Sequence, residues 1–269
     1  MSRLTIKEAL KEASKELKSY KEASIILQYF LKCDEVYIIL NDDKTLEDYK
    51  NYKKLIKRRL NSEPIEYITN SVSFYSQKFF IKKGALIPRP ESELLIDKAL
   101  KIINKGFKIA EIGVGSGVIS IMLAKLIEDI KITATDISKE ALEIAKINAK
   151  NFKVNDKISF IKTNYLDNVN EKFDMIISNP PYIAKNFALE KPLSYEPQNA
   201  LFGGDYGDEM LKEIIDLWVK RKTPYLLCEM GYDQKESMSS YFIKKGIKEY
   251  SFYKDLQGLD RGFVAFKGA

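Results

Sequence analysis

Residues 108–117 leave this chain few folds to choose from. An apolar run, Lys108-Ile-Ala-Glu-Ile112, passes straight into Gly113-Val-Gly-Ser-Gly117 and then into Val-Ile-Ser-Ile-Met-Leu-Ala. Glycine lacks a Cβ and tolerates positive φ, so a strand–glycine–helix junction brings bare backbone up to a ligand at the carboxyl end of a strand. The same alternation continues on both sides. Helices are expected at 91–104, 117–127, 138–151, 207–221 and 233–245. Strands are expected at 108–112, 131–136, 157–162, 173–178 and 224–230, followed by a final pair near 247–254 and 262–267. Strands separated by helices of this length predict an α/β, doubly wound parallel sheet covered on both faces.

The part before this sheet has another period. From Leu4 to about Leu60 apolar residues recur at helical spacing (Leu10, Ala13, Leu17; Ile26, Leu27, Phe30, Leu31; Leu46, Tyr49, Leu55, Ile56, Leu60), which predicts a small helical domain. Thr45 reads as the N-cap of its last helix, with Glu47 and Asp48 in the first turn. The basic run Lys53, Lys54, Lys57, Arg58, Arg59 reads as a solvated face, an acidic partner being the alternative. After Pro64, aromatic and β-branched runs suggest a hairpin over residues 72–87. The expected domains are therefore a helical one at 1–70, a hairpin linker at 71–87 and the α/β domain at 88–269.

Composition removes whole classes of chemistry. The chain of 269 residues has no histidine, which excludes Ser-His, Cys-His and His-metal mechanisms, and no metal site is expected. Its two cysteines, Cys33 and Cys228, are far apart and fit a reducing cytoplasm, and Cys228 reads as a buried small hydrophobe. Forty-four basic against 38 acidic residues give +6, too even to demand nucleic acid. No apolar leader or 18-residue apolar run is present, so a cytoplasmic protein is expected, with no membrane partner.

Two segments carry the chemistry. In the glycine turn, a dinucleotide fingerprint would want Gly or Ala where Val118 stands, and Glu111 sets a carboxylate where a pyrophosphate would have to go. A ligand with cationic groups fits better, and S-adenosylmethionine has an ammonium and a sulfonium. Asp136, ending the next strand, stands where a carboxylate accepts ribose hydroxyls, and Ser138 is left to cap the following helix. The second segment is Ser178-Asn179-Pro180-Pro181-Tyr182, directly after an apolar strand. Each Pro holds its predecessor extended at the crevice. The Asn179 side-chain oxygen and the Pro180 carbonyl would accept both hydrogens of a planar NH₂ group, and Tyr182 would cover its plane.

With these residues the chain resembles the HemK/PrmC family, the release-factor N5-glutamine methyltransferases. Besides the two motifs above, the likeness includes Glu63-Pro64 with Tyr67-Ile68-Thr69, Pro88-Arg89-Pro90-Glu91-Ser92-Glu93, Tyr195-Glu196-Pro197, Ala200-Leu201 with Gly203-Gly204, Glu229-Met230-Gly231, and Lys254-Asp255-Leu256 with Asp260-Arg261. It implies a seven-stranded, Rossmann-like, S-adenosylmethionine-dependent methyltransferase domain behind a helical domain that helps hold the substrate. It implies transfer to N5 of the glutamine in the Gly-Gly-Gln loop of class I peptide chain release factors. On that likeness the cofactor site comprises Gly113, Val114, Gly115, Ser116, Gly117, Asp136, Tyr165 (beside the adenine) and Asn179. The acceptor site comprises Asn179, Pro180, Pro181 and Tyr182, with Asn179, Pro180 and Tyr182 the catalytic set. Nucleic acid is not an obligatory partner. Asn70 for the usual Gly, Ser92 for Thr, Glu111 for Asp and Asn164 for Asp are departures; Ser92 keeps the hydroxyl and Glu111 the carboxylate. Asn-Pro-Pro-Tyr would also grip the exocyclic NH₂ of adenine or guanine, the leading rival, and a cofactor-binding module without activity is a second. Arg89 is left between the cofactor region and a pair with Glu91 or Glu93, and Trp218 reads as helix packing.

Overall fold

The computed structural model describes residues 4–267, so the outermost positions of the expected domains, 1–3 and 268–269, lie outside the described residues. The chain divides into two units, one running to Ser71 and taking in Glu190–Tyr195, the other formed by Val72–Leu189 and Glu196 onward.

The first unit is helical: α1 (Ile6–Leu17), α2 (Tyr20–Leu31), α3 (Glu35–Leu40), α4 (Tyr49–Leu60) and α5 (Ile65–Thr69). Local chemistry starts the first three. Thr5 and Glu8 form a reciprocal capping box on α1, and Ser19 and Asp34 cap α2 and α3. Ala9, Ala13, Ile26, Leu27, Ile38, Tyr52 and Ile56 meet in its core. Thr45 does not cap α4. Its neighbours are drawn into a bridge with the start of α1, Ile6 N–H donating to the Lys44 carbonyl and Leu46 N–H to the Leu4 carbonyl, each at 2.8 Å. The helix begins at Tyr49 instead, entered through Asp48 at φ 54° with no side-chain cap. The basic run on α4 is mostly neutralised within the unit: Lys53 pairs with Glu12 and Glu16, Arg58 with Glu63, Arg59 with Glu22. Asn70 ends α5 at φ 52°, a left-handed position that Asn tolerates better than most residues, and accepts from the Tyr29 hydroxyl.

The second unit opens with a hairpin, β1 (Ser71–Phe74) and β2 (Gln77–Phe80), turned by Tyr75 and Ser76, both at positive φ, the twist-matched geometry for a two-residue loop. Tyr75 ties it to α6 (Glu93–Leu100): its N–H donates to Glu93 and its hydroxyl to Asp97. The hairpin is shorter than expected. At Phe80 the backbone N–H and carbonyl are taken by the side chain of Asn148, and residues 81–89 form turns and irregular backbone outside any strand. The expected helix at 91–104 is likewise a 3₁₀ turn, Pro90–Ser92, followed by α6.

The remaining elements are β3 (Lys108–Ile112), α7 (Val118–Leu126), β4 (Lys131–Asp136), α8 (Lys139–Asn151), β5 (Ile158–Lys162), β6 (Met175–Ser178), the short pair β7 (Ile183–Ala184) and β8 (Phe202–Gly204), α9 (Glu209–Arg221), β9 (Tyr225–Glu229), α10 (Lys235–Lys244), β10 (Tyr250–Lys254) and β11 (Asp260–Phe266). Seven strands form one sheet in the order β10-β11-β9-β6-β3-β4-β5. It is mixed rather than all parallel, because β11 runs antiparallel to both β9 and β10. The central strands are buried along nearly their whole length, as continuous apolar runs require when helices cover both faces. Trp218, fully buried on α9, packs in the core with Ile176, Leu226 and Phe263, and Cys228 lies in the same cluster. Chain order reverses between β3 and β6: from β3 the strands run outward to β5, and β6 then returns to the other side of β3. Open α/β sheets bind their ligands outside the carboxyl ends of strands at such a switch point. Among the described residues no helix is long and apolar enough to cross a membrane, and no group of side chains could hold a metal ion.

Candidate active site

A cleft opens at this switch point. It is lined by Gly113, Val114, Gly115, Ser116, Asp136, Tyr165, Asn179 and Pro181 of the expected residues. Arg89, Ser92, Glu111, Ile137, Asn164, Pro197 and Asn199 also line it. Gly117, Pro180 and Tyr182 are not lining residues. Gly117 enters α7 at φ 87°, where a Cβ would come within 3.0 Å of Ala145, so this glycine serves helix packing. Gly113 and Gly115, at φ 74° and 54°, have open space where a Cβ would point, so backbone faces the cleft there.

The turn is not a phosphate cradle. Gly113 and Val114 N–H both donate to the Thr135 carbonyl at 2.9 Å, Gly115 N–H to the Asp136 carboxylate at 3.0 Å, and Gly117 N–H to the Val114 carbonyl. Four amides that a pyrophosphate would need are thus engaged within the protein. The other Asp136 oxygen accepts from Ser138 N–H at 2.8 Å, while Ser138 caps α8 through Ala141 N–H. Burial raises the Asp136 pKa against the opposing pull of these backbone donors. Its carboxylate fixes the glycine turn and stands at the cleft wall.

Glu111 departs from its expected part. Its side chain is 1% exposed and accepts from both the N–H and the hydroxyl of Ser120, in the first turn of α7. Burial lifts its pKa to about 8. At neutral pH it is mainly uncharged, so it does not supply the anion that the sequence suggested for a cationic ligand.

The acceptor end is organised by two buried groups, Ser92 and Glu229, that the sequence did not connect to Asn179 and Tyr182. Asn179 Nδ2 donates to Ser92 Oγ at 2.9 Å, and Ser92 Oγ donates to Glu229 Oε2 at 2.6 Å. Tyr182 donates its hydroxyl to Glu229 Oε1 at 3.2 Å. Ser92 and Glu229 are 2% and 1% exposed. Burial pushes Glu229 up to about 7 and Tyr182 well above its ordinary range, so the phenol stays protonated. With Nδ2 committed to Ser92, no protein donor among the described residues meets Asn179 Oδ1. The amide thus offers the cleft an acceptor.

The walls are pinned from behind. Glu196, 5% exposed, accepts from Ile87 N–H and from Arg89, so Arg89 pairs with neither Glu91 nor Glu93. Gln234 donates to the Tyr182 carbonyl and accepts from Gly231 N–H. Gly203 lies so close to the Pro181 carbonyl that a Cβ there would sit 2.3 Å from it. Asn148, fully buried on α8, donates to the Ser116 and Phe80 carbonyls.

Residues 8–69 match the PrmC N-terminal domain family and residues 90–193 the methyltransferase small domain family. The release factor glutamine methyltransferase of Buchnera aphidicola subsp. Baizongia pistaciae is 36% identical over 98% of this chain and 100% of its own length. The chain belongs to the release factor glutamine methyltransferase family. A bifunctional methyltransferase of Rickettsia felis is 34% identical over 96% of this chain, and the chain spans 57% of that protein's length. Among solved structures, the human methyltransferase 10 domain containing protein superposes with a TM-score of 0.54 at 18% identity, over 70% or more of both chains (71% and 88%), which shows the shared Rossmann-like methyltransferase fold.

Proposed function

We propose that this family member transfers the methyl group of S-adenosylmethionine to N5 of the glutamine in the Gly-Gly-Gln loop of a class I peptide chain release factor. The reaction takes place in the cytoplasm, without nucleic acid as an obligatory partner, and residues 1–70 help hold the protein substrate. The observation that carries this reading is the Asn179 amide, held through Nδ2 so that Oδ1 is the atom offered to a planar NH₂ group.

The cleft suits the methyl donor. Open space over Gly113 and Gly115 admits a ligand against backbone, Asp136 can take ribose hydroxyls on its remaining lone pairs, and Ile112, Val114, Ile137 and Tyr165 supply apolar and aromatic surface for a purine. When bound, S-adenosylmethionine supplies an electrophilic methyl on sulfonium.

The protein's own work is orientation. An amide nitrogen is a weak nucleophile because its lone pair is delocalised into the carbonyl. Asn179 Oδ1 and the Pro180 carbonyl accept its two hydrogens and fix its line of approach, where positioning contributes several kcal/mol. Tyr182, neutral and anchored on Glu229, covers the amide plane. Burial behind Ser92 and Glu229 keeps these bonds out of water, where each counts for more. No side chain of this set need take a proton first, since nitrogen becomes acidic once alkylated.

The test is labelled transfer. Methyl-labelled S-adenosylmethionine is incubated with a release factor and with the same factor carrying Ala for its loop glutamine. Label in the unmodified loop alone is expected. Label absent from both but present in ribosomal RNA or DNA would refute the reading in favour of base methylation.

A further inference from the structure

Asn179 can face an acceptor in two ways, offering Oδ1 or Nδ2, and only the first suits an incoming NH₂ group. What selects between them lies behind it. Ser92 has one proton, and the direction in which that proton points is decided by its other neighbour, Glu229. An ionised Glu229 only accepts. It takes the Ser92 proton on Oε2 and the Tyr182 proton on Oε1, Ser92 Oγ is left to accept from Asn179 Nδ2, and Oδ1 is turned to the cleft. A protonated Glu229 can donate to Ser92 Oγ, which frees the Ser92 proton for Asn179. The amide then satisfies it with Oδ1 and turns Nδ2 outward, so that two sets of N–H groups confront each other.

We propose that Glu229 is a positioning residue whose charge sets the polarity of the Asn179–Ser92–Glu229 relay, so that only its carboxylate form presents Asn179 Oδ1 to the acceptor amide. The inference rests on glutamine transfer as proposed above. Ser92 and Glu229 are buried and Asn179 is partly buried, and the residues come from the start of α6, the end of β6 and the end of β9, so the relay spans the acceptor end. The charged and titratable groups around Glu229 are few. Glu91 raises its proton affinity, Arg261 on β11 lowers it, and Ser92 and Tyr182 hydrogen-bond to it. The Tyr253 hydroxyl, buried on β10, is electrostatically coupled to it and has no hydrogen-bond partner among the described residues. Arg89 and Arg261 both act on Tyr182 in the opposite sense to Glu229. With burial holding Glu229 near 7, the polarity switches within the physiological range.

The experiment is the pH dependence of kcat/KM for a full-length release factor, measured on the intact chain from pH 5.5 to 9 with saturating S-adenosylmethionine. The wild type should rise through an acid limb centred near pH 7 to a plateau. Glu229→Gln should lose about tenfold to a hundredfold at the plateau and lose the limb, with KM for S-adenosylmethionine changed less than about twofold. Ser92→Ala, a smaller change that leaves Glu229 in place, should also lose the limb, and Ser92→Thr should restore it. In an Asn179→Ala background Glu229→Gln should have no further effect, as for members of one unit. Retention of the acid limb in folded Ser92→Ala, or of wild-type rate in Glu229→Gln, would overturn the relay while leaving glutamine transfer standing. Absence of label in the release factor with the wild type at every pH would overturn the glutamine reading and this inference with it.

Discussion

Asn148 gives a sharp test of how the glycine turn is held. It is the one fully buried Asn on the inner face of α8, and it makes three hydrogen bonds: Nδ2 to the Phe80 and Ser116 carbonyls at 2.9 Å, and Oδ1 from Phe80 N–H at 2.8 Å. Asn148→Ala removes all three. At about 1 kcal/mol net for each bond, with roughly 1–2 kcal/mol more for the buried Ser116 carbonyl left unpaired, the loss is about 4–5 kcal/mol. That lowers Tm by roughly 8–20 °C in a unit of this size. The assay is urea unfolding followed by intrinsic fluorescence, with the midpoint moving and the slope unchanged. A second substitution fixes the sign. Asn148→Asp keeps the acceptor for Phe80 N–H but sets a carboxylate against two carbonyl oxygens. Its folded-state pKa is raised, so it should be worse than Ala at pH 8 and recover as pH falls toward 5 and the carboxyl protonates. A midpoint for Asn148→Ala within about 1 kcal/mol of wild type, or an Asp variant milder than Ala at pH 8, would refute this account of the turn.

Three further outcomes follow from the site. Asn179→Ala should lower turnover on the order of a hundredfold while leaving S-adenosylmethionine affinity nearly unchanged, read by labelled transfer and by ligand titration. Gly207→Ala places a Cβ 2.6 Å from the Tyr182 carbonyl at φ 86°, and should shift the Asn-Pro-Pro-Tyr segment and depress kcat more than it weakens cofactor binding. Glu111, lifted by burial to about 8 from an ordinary 4.5, holds its proton longer when folded than when unfolded. Its contribution is therefore intact below about pH 4.5 and is lost as pH rises through 8. Glu111→Gln should match wild type near pH 4.5 and exceed it by a few kcal/mol at pH 9 in chemical denaturation.

The sheet was legible because its central strands are apolar runs bounded by Gly, Asp and Pro, a pattern few other elements produce. Misplacements arose where a distant partner overrides local preference. Thr45 has the chemistry of a cap, but the backbone beside it pairs with the start of α1, some forty residues away. The basic face of α4 reads as solvated because its acids, Glu12, Glu16 and Glu22, lie on other helices. Arg89 had acids at two and four residues' distance and took neither, since Glu196 is fixed beside it by Ile87 N–H. For Asn148 a signal existed: a polar residue three after Ala145, on the stripe of α8 that Leu142 and Ala145 mark as buried. Glu229 was visible only as a letter of a motif, because its partners stand 137 and 47 residues away.

Glu111 and Glu229 separate stability from function. Glu111 is the penultimate residue of β3 and Glu229 the last of β9, on either side of β6; both are buried, lifted above the ordinary carboxyl range and held by a serine hydroxyl. Each opposes folding at alkaline pH by the same physics. They differ in what the serine does next. Ser120 also gives Glu111 its N–H and the chain of bonds stops inside α7, whereas Ser92 passes the bond on to Asn179. Removing either charge therefore stabilises the fold at pH 9, but only at position 229 does it also alter the atom offered to the acceptor. Compared in one background, both glutamine variants should gain stability at pH 9, and only Glu229→Gln should lose transfer, so that at position 229 the stability cost and the functional use of the charge fall on one residue.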